Sequence, residues 1–153
     1  MIDVALSIEP AGDVIALDVW DGEPNLDGLR ALKAEPRRWW LIGAATQADA
    51  LAASLGDTGA LAPIGGGLVC ATLTGPGWRE LLTVSGIFDV EDPGFGPGDV
   101  AGTVIHHVAV RIAPTSDTSC EVYFASSYAS GLIDLWQRVI GIGADHAVPV
   151  TSS

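Results

Sequence analysis

Leu73-Thr74-Gly75-Pro76-Gly77-Trp78-Arg79-Glu80-Leu81-Leu82 is the stretch on which the reading of the fold depends. Before it, Leu68-Val69-Cys70-Ala71-Thr72-Leu73 is rich in residues that suit a strand. After it, Trp78, Leu81 and Leu82 recur at helical spacing. Between the two, Gly75 can take the backbone angles a turn needs, and Pro76 suits the first turn of a helix, where its missing N–H costs nothing. Gly77 weakens the helix start, and Glu80 supports it through the helix dipole. The stretch therefore predicts a strand over 68–74, a turn, and a helix over 76–84.

Toward the C-terminus, residues 89–98 hold a Pro/Gly-rich loop. Residues 103–112 read as one long strand, 114–119 as a turn, and 120–125 as the strand that answers across a hairpin. Ser130 is placed to cap a last helix with an apolar stripe of Leu132, Ile133, Leu135, Trp136, Val139 and Ile140, ended by Gly141-Ile142-Gly143. Toward the N-terminus, Val4, Leu6 and Ile8 alternate before Pro10-Ala11-Gly12, which fits a first strand or an extended arm on a partner. Residues 14–20 read as a strand, and 26–34 as a short helix or a loop stopped by Glu35-Pro36. Residues 38–43 form a compact apolar strand. A helix over 47–55 follows, with Thr46 as its cap and Gly56 as its end. Residues 56–67 are expected to be a flexible connection. Gly65-Gly66-Gly67 lacks the strand-to-helix setting and the following Lys-Ser or Lys-Thr of a phosphate loop.

The element order implies an α+β fold: a mostly antiparallel sheet with helices packed on one face, built from two degenerate strand-helix-strand halves. The expected organisation is an N-terminal arm or strand over 1–12, a single domain over 13–143, and a flexible tail over 144–153.

Composition narrows the function. The 153 residues suffice for one domain with a sizeable core. Charged residues make up 17%, against roughly a quarter for a lone soluble domain. With five Trp, this suggests that a partner covers part of the surface. A free-standing Ala/Gly-rich domain is the alternative. A net charge of −12, from 19 acids against 7 bases, argues against a nucleic-acid partner. No apolar run reaches the ~18 residues of a membrane-spanning helix, so no membrane partner is expected. Met1-Ile2-Asp3 lacks the basic start of a signal peptide, which makes the cytoplasm the expected location.

Candidate chemistry is sparse, and no catalytic, cofactor-binding or metal-binding residue is expected. Cys70 and Cys120 are too few for a zinc site and read as small buried hydrophobes. His106 and His107, taken as strand neighbours, point to opposite faces and cannot easily share a metal. Ser126-Ser127 have no Gly-x-Ser-x-Gly elbow. Glu91-Asp92 lie in a loop with nothing to raise a carboxyl pKa, and Asp18, Asp21 and Glu23 read as solvated. The better candidates are partner contacts. Trp39 and Trp40 point to opposite faces of one strand, and Trp78 opens a helix.

Residues 39–140 resemble the gamma subunit of heterotetrameric sarcosine oxidase. Trp39-Trp40-Leu41-Ile42 and the 73–82 stretch carry the likeness. So do Phe88-Asp89-Val90, Phe95-Gly96-Pro97-Gly98, Thr103, and Ser127-Tyr128-Ala129-Ser130-Gly131-Leu132 leading into Trp136. Pro24-Asn25 matches a Pro/Asn pair in the family's first half. Trp78 departs from the family's usual Ala, Ser126 from Arg, and Ile87-Phe88 from Cys-Pro, which bears on substrate more than on fold. The resemblance implies a folate-binding-domain-like fold, akin to part of the glycine-cleavage T protein. It implies a non-catalytic structural subunit packed against alpha, beta and delta partners that carry NAD, tetrahydrofolate, FAD, FMN and zinc. The reaction implied for the complex is oxidative demethylation of sarcosine or a related secondary or N-methyl amine. The alternatives are a free-standing folate-dependent aminomethyltransferase-like protein and a small-molecule binding module. Against the first, the chain is less than half the expected size and lacks a Lys-Gly-Cys-Tyr-x-Gly-Gln motif.

Overall fold

The computed structural model describes residues 2–86, 94–105 and 107–145. In chain order the strands are β1 (Ala5–Pro10), β2 (Val14–Val19), β3 (Arg30–Glu35), β4 (Arg38–Ile42) and β5 (Gly59–Pro63). They continue with β6 (Leu68–Thr74), β7 (Ala101–Ile105), β8 (Val108–Ser116) and β9 (Ser119–Ala125). The helices are α1 (Ala48–Leu55), α2 (Trp78–Val84) and α3 (Ala129–Asp145). The strands form two antiparallel sheets, ordered β1-β6-β9-β8-β7 and β3-β4-β2-β5.

The period-2 alternation of each strand decides what lies between the layers. Ala71, Leu73, Val110, Ile112, Val122 and Phe124 project from the five-stranded sheet onto Trp78, Leu81 and Leu82 of α2 and Leu132 and Trp136 of α3. Ile15, Leu17, Val19 and Leu41 project from the four-stranded sheet onto Leu51 and Leu55 of α1. The opposite faces meet through Leu32, Trp40, Ile42, Cys70, Ala113 and Tyr123. The order of layers is helix, sheet, sheet, helix.

The α+β class, the antiparallel pairing and the two unequal halves match the expectation from sequence. The difference is that there are two sheets, one from residues 14–63 and one from residues 68–125 together with the N-terminal strand β1, each with its helices on its outer face. The two sheets share a strand order but not a full connectivity, since β5 follows α1 whereas its counterpart β1 precedes β2. The spatial order β3-β4-β2-β5 repeats as β8-β9-β6-β1. In each, a hairpin (β3–β4 or β8–β9) leads into a helix (α1 or α3). The C-terminal half adds α2 and β7.

The Gly75-Pro76-Gly77 turn is held from two sides. Gly75 N–H donates to Thr118 O at 2.7 Å, and Gly77 N–H donates to Asp3 O at 2.9 Å. Gly75 has φ +134, and a Cβ there would lie 2.5 Å from Asp3 O. Only glycine fits both the angle and the space. Helix α2 starts at Trp78, so Pro76 stands before the helix and not in its first turn.

Several elements differ from the sequence reading. Residues 30–35 are the strand β3 and not a helix, because pairing with β4 outweighs local helix propensity. The stretch 56–67 is not a loose connection: β5 pairs with β2 along Ile15↔Pro63 to Val19↔Gly59, and Gly65–Gly67 form a 3-10 turn. The segment at 101–116 is a hairpin, not one strand from 103 to 112, with Ile105 facing Val108 and His107 at φ 71. The N-terminal segment is a strand of the chain's own sheet, paired with β6 from Ala5↔Thr74 to Pro10↔Val69. Thr46 does not cap α1; its hydroxyl meets Gln47 Oε1, and Asp13 Oδ2 accepts the N–H of Ala45 at 2.6 Å instead. Ser130 lies inside α3, which runs past Gly141-Ile142-Gly143 to Asp145. The expected tail beyond 145, Glu91-Asp92 and His106 lie outside the described residues.

Candidate functional site

The five Trp residues fall into three environments. Trp78 and Trp136 are fully buried in the larger core. Trp78 Nε1 donates to Asp117 O at 3.0 Å, tying α2 to the β8–β9 turn, and the Arg79 guanidinium lies 4.4 Å from its ring. Trp136 Nε1 donates to Ser85 Oγ at 3.1 Å, and its ring meets Phe124 edge-on at 6.1 Å. Trp78 therefore has no surface to offer another chain. The expectation that it forms a partner contact is corrected by its burial beneath α2.

Trp39 and Trp40 do take opposite faces of β4, and both are half-buried. Trp39 faces the α1 side, with Lys33 Nζ 5.6 Å from its ring. Trp40 faces the seam between the sheets and meets Tyr123 edge-on at 6.1 Å. Trp20 is 62% exposed, held by one hydrogen bond from Nε1 to Asp57 O at 2.7 Å. Sequence reasoning passed over it. Strand parity gave no signal, since Val14 and Ala16 share the parity of Trp20 and are buried; Trp20 lies just past the end of β2. Among the described residues, Val84, Val104 and Tyr128 are the other large apolar side chains left more than half exposed.

The seam between the sheets carries several polar side chains. Arg30 forms an ion pair with Glu121, and Tyr123 OH donates to the same carboxylate oxygen at 2.9 Å. Burial is the largest single influence on the Arg30 charge and works against it, but the Glu121 hydrogen bond and the charges of Tyr123 and Glu121 together outweigh it and raise the pKa. Burial, with Cys70 and Glu121 beside it, pushes the Tyr123 phenol well up. The Arg111 guanidinium sits 5.6 Å from the Trp40 ring. Its Nε is buried with no hydrogen-bond acceptor, and Nη1 reaches only Val110 O, at 3.5 Å. At the rim, Arg38 grips Asp18 with bonds of 2.8 and 3.2 Å, and this holds the Asp18 carboxyl below its ordinary range. Asp18 is thus an ion-pair partner and not a free solvated acid.

Reactive groups are not assembled. Burial pushes the Cys120 thiol to about 12, and burial with the Glu121 charge pushes Cys70 to about 11, so both stay protonated and un-nucleophilic near neutral pH. Among the described residues no group of three or more His, Cys, Asp and Glu comes together to hold a metal. His107 is exposed at the β7–β8 turn. Ser126 and Ser127 lie in a 3-10 turn before α3, and Ser127 lines a shallow groove of about 370 Å³ with Tyr128, Leu132 and Leu135. No described helix is long and apolar enough to cross a membrane.

No protein-family model matches the chain, and no curated protein matches it. Among solved structures, it is similar to a chain of the heterotetrameric sarcosine oxidase from Corynebacterium sp. U-96, solved in complex with pyrrole 2-carboxylate. The TM-score is 0.74 at 18% identity, and the match covers 88% of this chain and 84% of the other. At that identity the likeness is one of fold.

Proposed function

We propose that the chain is a non-catalytic, structural gamma-type subunit of a sarcosine oxidase-like flavin amine oxidoreductase. The observation that carries this is the fold match, which spans nearly the full length of both chains. The buried Cys120 and half-buried Cys70 thiols, both protonated, and the ion-paired seam suit a scaffold, whose task is to hold shape. Low charge content and the exposed Trp20, Val84, Val104 and Tyr128 suit a surface covered by other chains. On this reading the alpha, beta and delta partners hold FAD, FMN, NAD, tetrahydrofolate and zinc. Oxidation of sarcosine or a related secondary or N-methyl amine takes place there, in the cytoplasm. Trp39 and Trp40 are proposed as partner contacts through the edges they leave accessible.

Deleting the chain from its own cells tests the proposal. Flavin-dependent oxidation of sarcosine or a related amine is expected to fall with loss of the assembly and to return when the chain is restored. Full activity in the deletion strain overturns the proposal.

A further inference from the structure

We propose that the uncovered end of the five-stranded sheet's inner face, with Arg111 at its margin, seats a partner-chain segment that carries a carboxylate. The inference rests on the subunit reading and names a surface and a chemistry for it.

The surface follows from the register. On β7 and β8, Val104 faces Ala109; on β9 and β6, Ala125 faces Leu68. The pairing Val110↔Phe124 sets Ala109 beside Ala125. These four residues form one apolar row across four strands. Strand parity turns the row away from α2 and α3, since Ile105, Val108, Val110 and Phe124 already face those helices. Val104 is 56% exposed, Ala109 is exposed, and Ala125 and Leu68 are half-buried. The next row inward is Gly102, Arg111, Tyr123 and Cys70, and here Trp40 of the four-stranded sheet begins its cover. The second sheet thus stops one row short.

Arg111 supplies the polarity of the missing partner. Arg30, Arg37, Arg38 and Arg138 each have a carboxylate within the chain. Among the described residues Arg111 has none, although the chain carries 19 acids against 7 bases. Its guanidinium lies across β7, over Gly102, where a Cβ would come within 2.8 Å of Nη1. Trp40 flanks it from the other sheet. A partly desolvated guanidinium beside an apolar row is an incomplete pair, and a carboxylate with an apolar flank completes it. A second copy of this chain fits less well, because two bodies of net charge −12 repel each other.

The test places a photo-crosslinking amino acid at Val104 of the full chain, expressed in its own cells, and isolates the intact complex. The expected cross-link joins Val104 to an apolar peptide of a larger partner chain containing Asp or Glu. Arg111→Glu is expected to lower its yield about tenfold or more, and reversing the partner's acid to Lys to restore it. A probe at Trp20 in the same preparation should not respond to Arg111→Glu. Should that variant fail to fold by circular dichroism, Arg111→Gln, which removes the charge and keeps most of the side chain's reach, is read the same way. An intact complex in which the Val104 probe captures no partner, captures a second copy, or ignores Arg111 overturns this inference and leaves the subunit reading standing. A chain isolated alone overturns both.

Discussion

Replacing Trp78 with Ala tests whether the fold's organising stretch is anchored from inside the chain. Trp78 is fully buried, so truncation removes a side chain of roughly 150–250 Å², worth about 3–5 kcal/mol once the cavity is counted. The lost Nε1 bond to Asp117 O and the contact with Arg79 each add about 0.5–1 kcal/mol. Asp117 lies in the β8–β9 turn, where water can replace the lost donor, which keeps the total near 4–5 kcal/mol. That is a large share of the ~5–15 kcal/mol that holds a domain together. Urea unfolding followed by far-UV circular dichroism measures it. Trp78→Phe, expected to cost about 1–2 kcal/mol, keeps the comparison readable if the Ala variant is largely unfolded. A loss of less than about 1 kcal/mol for Trp78→Ala would place the residue on a surface and refute the account of α2.

Gly65→Ala is expected to lower the melting temperature by about 4–8 °C, at about 2–4 °C per kcal/mol for a chain of this size and a cost of about 2 kcal/mol, since the new Cβ would fall 1.8 Å from Gly12 O and force backbone apart; an unchanged melting curve counts against the close approach of the 3-10 turn to the segment before β2. Asp18→Asn should cost no more than about 1 kcal/mol, because the Arg38 pair is more than two-fifths exposed on both sides. With the folded pKa of Asp18 lowered, that contribution is present above the ordinary carboxylate value of 3.8 and is lost as pH falls through the folded pKa. Denaturation of both forms at pH 6 and pH 3 should therefore show the gap closing in acid. A thiol reagent at pH 7 should leave Cys120 untouched until denaturant is added and label Cys70 about tenfold or more slower than a free thiol; rapid labelling of either contradicts their burial.

What could be read from the sequence follows from which contacts are local. The strand-turn-helix at 68–84 and the β8–β9 hairpin are written in spacing and turn chemistry, so both were legible. Strand β3 was not: Arg30-Ala31-Leu32-Lys33-Ala34 are good helix formers, and only long-range pairing with β4 makes them a strand. Strand β5 was hidden because Gly59-Ala60-Leu61-Ala62-Pro63 carries little pattern of its own and takes its register from β2. The second sheet did leave a trace. Val14, Ile15, Ala16 and Leu17 are all buried, the mark of a strand covered on both faces, and the run is apolar without alternation. The site was less legible. Composition pointed to a covered surface without saying where. Trp78, expected at a partner surface, is buried, and Trp20, passed over, is exposed, because exposure depends on which layer covers a face. Arg111 stood out only once the two sheets were placed together.

The central claim is that this chain exists as part of a flavin-bearing assembly. The most direct measurement is a native pull-down of the chain from its own cells, with a visible absorption spectrum and a mass analysis of the product. The account predicts a yellow complex that holds two larger chains and one smaller one beside this chain. A colourless, monomeric chain would contradict it.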